Sequence, residues 1–154
     1  MEKTFIELRY QLKEAWPNLR YIWMWDRNYY LVTKGQLDKI VEFVLKAKVS
    51  FPDYDAVEFD KLYNMGEYFD CDNFAAGGDF LAKLYGKLLA EKGEIPRLPI
   101  AFGQARGNEF RQIPMLHALN IAVTQEGIYF IDFDDRGRIW QANKDWDSIF
   151  YVSF

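Results

Sequence analysis

The stretch MLHALNIAVTQEGIYFIDF, from Met115 to Phe133, decides the expected fold. Its β-branched and aromatic residues predict two strands, over Met115–Thr124 and Gly127–Phe133, separated by a short polar turn. Further strands are predicted on either side, at Ile100–Gly103, Arg138–Gln141 and Ile149–Val152. Because successive strands joined by short turns pair antiparallel, the C-terminal part of the chain is expected to form an antiparallel sheet.

The preceding part of the chain carries helical periodicity instead. It predicts one helix that stops before Pro17, a second that follows a capping box of Thr33 and Gln36, and a third over Asp72–Lys92. Helices followed by a run of strands are typical of an α+β fold with the helices packed on the sheet. The chain has 154 residues and no linker-like stretch, so residues 1–154 are expected to form one domain.

An aromatic segment, RYIWMWDRNYYLVT, spans Arg20–Thr33. Turn-forming residues at Asp26–Asn28 separate two short strand candidates within it. The segment therefore predicts either a hairpin or strand pair, or a loop that lines a cleft.

The composition excludes several classes of protein. A formal net charge of −4, with basic residues scattered among acids, does not fit binding to nucleic acid. The apolar runs are too short for a bilayer span and the first residues lack an apolar signal core, so a cytoplasmic protein without a membrane partner is expected. One cysteine cannot form an internal disulfide, and with one histidine it cannot make a zinc site of the usual composition.

The single cysteine, Cys71, lies where the third helix is predicted to begin. Backbone N–H groups and the helix dipole favour an anion at a helix start, and a thiolate would be stabilised there. A lone cysteine is as often a small buried apolar residue, so its position alone leaves both roles open.

The single histidine, His117, lies in the strand that begins the decisive stretch. A thiol, an imidazole and a following acid would supply a nucleophile, a base and a group that orients the base. The register of the two strands decides which acid would orient His117. A wide turn centred near Thr124 and Gln125 places His117 opposite Asp132, whereas a tighter turn at Glu126 and Gly127 makes Asp134 its diagonal neighbour.

The order FDCDNF, then HALNIAVTQEGIYFID and a short β tail, resembles the C-terminal cysteine-protease domain of the fairy-ring mushroom agglutinin and its bacterial and phage relatives. The resemblance implies a papain-like fold with Cys71 as the nucleophile, His117 as the base and Asp132 at the position of the family's glutamate. Two departures matter: Asn73 replaces the commoner second aspartate, which weakens a metal site, and Asp132 with Phe133 replaces a Glu-Pro pair, which makes the group that orients the imidazole one methylene shorter.

The resemblance also suggests calcium, which the mushroom member of the family needs. Carboxylates beside Cys71 would raise the pKa of its thiol, and a hard cation held by oxygen ligands would remove that penalty. The candidate ligands are Asp70, Asp72, Asp132 and Asp134. Asp70 or Asp72 would equally serve as a helix cap.

Three functional hypotheses follow. The leading one is a cysteine hydrolase, a peptidase or amidase, with a peptide or protein substrate. The alternative is a papain-like binding or interaction protein with an idle site, such as a phage or mobile-element product. The third is an aromatic carbohydrate-binding module that uses Trp25.

Overall fold

The computed structural model describes residues 1–50, 55–62, 70–110, 113 and 115–154. The described part contains three helices: α1 (Phe5–Ala15), α2 (Lys34–Lys46) and α3 (Cys71–Glu91). Side chains cap all three, because the first N–H groups of a helix have no partner within it. Thr4 and Thr33 form capping boxes with Glu7 and Gln36, which confirms the sequence signal for α2.

The strands are short except for the three at the centre of the main sheet. They are β1 (Glu2–Thr4), β2 (Tyr21–Trp23), β3 (Asn28–Tyr30), β4 (Lys48–Val49), β5 (Val57–Glu58), β6 (Phe102–Glu109), β7 (His117–Val123), β8 (Ile128–Asp132), β9 (Arg138–Gln141) and β10 (Ser148–Ser153). The C-terminal strands predicted from the sequence are all present; Arg138–Gln141 has the predicted ends, and the ends of the other four are shifted. In the region Ser50–Glu67, Pro52 and a mixture of Asp and Tyr residues without a clear period predict an irregular connection, and this region lies partly outside the described residues.

The main sheet has six strands in the order β2-β10-β6-β7-β8-β9. Its neighbours are antiparallel except at one edge, where β2 runs parallel to β10 and Tyr21 pairs with Tyr151. The expected papain-like α+β fold, with N-terminal helices on an antiparallel sheet, is corrected accordingly: the structure is a mixed six-stranded β-sheet with three helices. The physical reason is the long-range pairing of β2 with β10, which leaves no local signal in the sequence.

Helices cover both faces of this sheet. Leu8 and Leu12 of α1 pack on one face together with Leu119 and Phe130, and this core includes Ile121 and Val123 as well. On the opposite face, α2 and α3 pack over a second core that includes Phe102, Ala122 and Ile131. Strand β7 is therefore buried on both sides, which explains its nearly continuous apolar sequence.

A glycine lets α3 approach the sheet closely. A Cβ atom at Gly78 would lie 2.4 Å from Cδ2 of Phe133 and 2.6 Å from Oδ1 of Asn120. The absence of a side chain at Gly78 thus allows α3 to pack closely on the sheet. The contact places the start of α3 beside the start of β7.

The aromatic segment 20–33 does not form a hairpin. Strand β2 pairs with β10, whereas β3 pairs antiparallel with β1. The residues between β2 and β3 instead line a cleft, which was the other expectation. No helix among the described residues is long and apolar enough to cross a bilayer.

Candidate functional site

Cys71 is the first residue of α3 and is partly buried. Asp70 caps the helix, since its Oδ1 accepts a hydrogen bond of 3.3 Å from the N–H of Asn73. The backbone N–H of Ala118, next to His117 in β7, donates to the Cys71 thiol. The structure therefore brings the thiol to the strand that carries the histidine.

The local environment raises the pKa of the Cys71 thiol above its ordinary value. Partial burial is the main cause, and the negative charges of Asp72, Asp70 and Asp134 act in the same direction. The hydrogen bond from Ala118 opposes them but does not offset them. The thiolate expected from a helix start is thus disfavoured around this sulfur.

His117 lies against a buried acid. Its Nε2 is 3.0 Å from Oδ2 of Asp132, and both side chains are largely shielded from solvent. The pKa of His117 is raised, first by the hydrogen bond to Asp132 and further by the charges of Asp132, Asp134 and Asp72, while burial opposes the rise. Phe110 meets the imidazole edge-on, with ring centroids 6.5 Å apart.

The observed register of β7 and β8, which places His117 near Asp132, is neither of the two registers predicted from the sequence. Ile121 pairs with Phe130 and Val123 with Ile128, a register midway between the two alternatives. Continued to the start of β7, this register sets position 134 level with His117 and makes Asp132 its diagonal neighbour. The side chain of Asp132 still reaches the imidazole because its carboxylate turns along the strand end, where its other oxygen accepts N–H bonds from Asp134 and Asp135.

Three of the four aspartates proposed as metal ligands, Asp70, Asp72, Asp132 and Asp134, have other partners. Asp70 caps α3, Asp72 lies 3.5 Å from Arg106, and Asp132 contacts His117. Within the part of the chain that the structure describes, no three His, Cys, Asp or Glu side chains are grouped to hold one metal ion. A calcium requirement stays a prediction, as do the catalytic roles assigned to Cys71, His117 and Asp132.

A second candidate site lies on another part of the molecule. A cleft of ≈ 600 Å³ lies between the turn after β2 and the C-terminal half of α3. Trp25, Asp26 and Tyr29 line one side, and Lys87 and Glu91 of α3 line the other. The segment 97–100, which includes Arg97, and the C-terminal Phe154 complete the wall.

One of two exposed, stacked indoles lines this cleft. Trp23 is 54% exposed and Trp25 is 78% exposed, and their rings stack with centroids 6.4 Å apart and an interplanar angle of 25°. Tyr21, also exposed, continues the aromatic surface along β2. Exposed aromatic groups of this size mark interaction sites more often than isolated apolar residues do.

Only one side of this cleft could be predicted from the sequence. The aromatic segment and Trp25 pointed to it, but Lys87, Glu91 and Arg97 did not stand out. These charged residues lie far from Trp25 in the sequence and are brought to it by the backbone. Tyr30 donates to Pro99 O at 2.8 Å, and Ala101 donates to Tyr30 O at 3.0 Å.

Comparisons with known proteins show a shared fold. The chain is similar to a solved PSL1a-E64 complex, with a TM-score of 0.66 and 20% identity, over 99% of this chain and 51% of that one. It is also similar to Polyporus squamosus lectin bound to the human-type influenza-binding epitope Neu5Acα2-6Galβ1-4GlcNAc, with a TM-score of 0.64 and 18% identity, over 99% of this chain and 49% of that one. The chain thus spans about half the length of the chains it matches. No protein-family model matches the sequence, and the search of curated proteins found no match.

These findings correct several expectations. The solved structures that share the fold are named as PSL1a and a lectin, and neither is named as a protease, so the proposed membership of a cysteine-protease domain family and the leading hypothesis of a peptidase or amidase are corrected. The expected peptide or protein substrate is corrected with them, because the ligand named for the lectin is a carbohydrate. The comparisons likewise bring no support for calcium or for a phage origin.

Proposed function

We propose that the chain is a carbohydrate-binding protein whose ligand occupies the cleft beside Trp25. The observation that carries the proposal is the exposed indole of Trp25, which lines a ≈ 600 Å³ cleft and stacks on the exposed indole of Trp23. The fold shared with a lectin that binds a sialylated trisaccharide supports a binding role for this scaffold.

The aromatic surface fits the shape and chemistry of a sugar. A pyranose ring presents a flat face of C–H groups that can pack on an indole, while its hydroxyls point outward around the rim. Large aromatic side chains offer such a face with little loss of side-chain entropy, and the indole N–H remains free to donate. The indole of Trp25, the more exposed of the pair, is therefore the expected platform for one sugar ring.

The cleft also supplies the polar groups that orient a ligand. Asp26 and Glu91 offer carboxylate oxygens that accept hydrogen bonds from hydroxyls, and Lys87 and Arg97 offer N–H donors. Small-molecule sites typically combine an apolar wall with a few convergent polar groups in this way. Arg97 would, in addition, suit a carboxylate on an acidic sugar.

Calorimetric titration with Neu5Acα2-6Galβ1-4GlcNAc, and with the Galβ1-4GlcNAc disaccharide, tests the proposal. The wild-type chain is expected to bind, and Trp25→Ala to lower the affinity at least about tenfold, which corresponds to about 1.4 kcal/mol. Trp146→Ala is the matched control, since Trp146 is a similarly exposed indole in the turn before β10 and does not line the cleft. Equal losses for the two variants, or no binding by the wild type to either glycan, would refute the assignment.

A further inference from the structure

The segment that presents Trp25 is held by one buried side chain. Tyr29, in β3, is fully buried, and its hydroxyl oxygen accepts two backbone hydrogen bonds, from Trp25 N–H at 3.1 Å and from Asp26 N–H at 3.0 Å. One phenol oxygen thus binds two consecutive amides of the turn. Trp25 itself makes no other hydrogen bond with the described residues, and its ring is 78% exposed.

The ring of Tyr29 is fixed from the other side. It meets Phe154 edge-on, with ring centroids 6.1 Å apart, and Phe154 N–H donates to Trp23 O at 3.0 Å. Residue 23 is therefore anchored through the C-terminal residue, and residues 25 and 26 through the tyrosine hydroxyl. The two anchors enclose the stretch that carries both indoles.

Strand β3 also connects the two walls of the cleft. Tyr30, the next residue, forms backbone hydrogen bonds with Pro99 and Ala101 on the opposite wall. Tyr29 lies between the Trp25 turn and this connection. Hydrogen bonds of two adjacent residues, Tyr29 and Tyr30, thus connect the Trp25 turn with the segment 97–100.

We infer that Tyr29 is a positioning residue that preorganises Trp25 for ligand binding through its buried hydroxyl. The inference rests on the proposed function, because it assigns Trp25 as the binding platform. Ordering a flexible loop during binding costs free energy that a preformed loop does not lose. Tyr29 lies behind the wall of the cleft with no exposed surface, so it is not expected to touch the ligand itself.

The phenol oxygen can be removed while the ring is kept. Tyr29→Phe preserves the packing on Phe154 and leaves the amides of Trp25 and Asp26 without their acceptor. These two amides are expected to exchange with solvent deuterium at least about tenfold faster, while amides of β6 and β7 keep their protection. The affinity for Neu5Acα2-6Galβ1-4GlcNAc is expected to fall about three- to tenfold.

Tyr10→Phe is the matched control, since Tyr10 is an exposed residue of α1 outside the cleft. It is expected to change neither measurement. Unchanged exchange at Trp25 and Asp26 in Tyr29→Phe would overturn the inference, and so would faster exchange with unchanged affinity. If the wild type binds no glycan, the proposed function fails, whereas the exchange rates still decide whether Tyr29 holds the segment.

Discussion

Oδ2 of Asp132 lies 3.0 Å from Nε2 of His117, and Oδ1 of the same carboxylate accepts hydrogen bonds from the N–H groups of Asp134 and Asp135. The carboxylate is only 3% exposed, so its charge is compensated by these donors rather than by solvent. The backbone amides fix the rotamer of Asp132, and Asp132 in turn fixes the imidazole. The pair is thus a rigid unit at the start of β7.

We predict that His117 titrates above its ordinary pKa of 6.5. The sign follows from Asp132, which stabilises the protonated imidazole in the folded state only. The resulting stabilisation is fully present below pH 6.5 and is lost as the pH rises through the folded pKa. Because the chain has one histidine, its ring C–H resonances give the titration directly by NMR.

Asp132→Asn should lower this pKa, since it removes the acidic partner while burial continues to disfavour the charged imidazole. Asp135→Asn is the control, because the Asp135 carboxylate is exposed and lies 3.2 Å from Arg138 rather than beside the imidazole. A wild-type pKa below 6.5, or equal shifts in the two variants, would contradict the assigned contact.

We predict that the Cys71 thiol reacts slowly with iodoacetamide at neutral pH. Burial and the charges of Asp72, Asp70 and Asp134 raise its pKa, and only the thiolate is alkylated. The rate should therefore be lower than that of glutathione at pH 7.5 and should rise through a midpoint above 9.0. A rate equal to or above that of glutathione would contradict the prediction.

Asp72→Asn should shift that alkylation midpoint to lower pH. The substitution removes one negative charge near the sulfur and frees Arg106, which lies 3.5 Å from Asp72. Asp38→Asn is a suitable control because Asp38 pairs with Lys34 on α2, away from the thiol. Its midpoint should match that of the wild type.

The helices could be predicted from the sequence because their signals are local. The capping box of Thr33 with Gln36 lies within four residues, and Gly93, with φ +74°, follows Lys92, the C-cap of α3. The pairing of β2 with β10 joins residues about 130 positions apart and has no such signal. The predicted antiparallel sheet is therefore wrong at the edge strand β2, whereas most other strands of the sheet are predicted correctly.

The candidate site shows the same difference between what residue types predict and what depends on the folded structure. Asp132 was named as the partner of His117, but the observed register is one that neither considered turn would produce. The four-residue loop between Val123 and Ile128 is shaped by Thr124, whose hydroxyl accepts N–H bonds from Glu126 and Gly127. Such side-chain bonding within a turn depends on rotamers that the residue types alone do not specify.

We predict that Gly78→Ala destabilises the protein by about 1–3 kcal/mol in urea unfolding. The new Cβ would overlap Phe133 and Asn120, both buried, and this overpacking outweighs the helix propensity gained over glycine, about 1 kcal/mol. Gly35→Ala is the matched control in α2, since the nearest atom to its Cβ would be Thr33 Oγ1 at 4.0 Å. That variant should be neutral or slightly more stable, and a similar gain for Gly78→Ala would disprove the close contact.

We predict that Asn120→Ala costs about 2–4 kcal/mol of unfolding free energy. The Asn120 amide donates to Ala75 O at 2.8 Å and to Gly103 O at 2.9 Å, and its loss leaves two buried carbonyls without that donor. The side chain of Asn120, in β7, thus links α3 and β6 by hydrogen bonds. Asn108→Ala, at an exposed position of β6, should change stability by less than about 0.5 kcal/mol.

Asn120→Asp should be more destabilising than Asn120→Ala at pH 7, and the difference between them should shrink as the pH falls. The carboxylate would face two carbonyl oxygens with no donor of its own, whereas the protonated acid can donate to one of them. Burial raises the pKa of such a carboxyl, so the penalty is relieved by protonation within the range in which the protein can be studied. Urea unfolding of both variants at pH 5 and pH 7 measures this. A difference that does not change with pH would mean that the amide of Asn120 does not serve as the donor between the helix and the sheet.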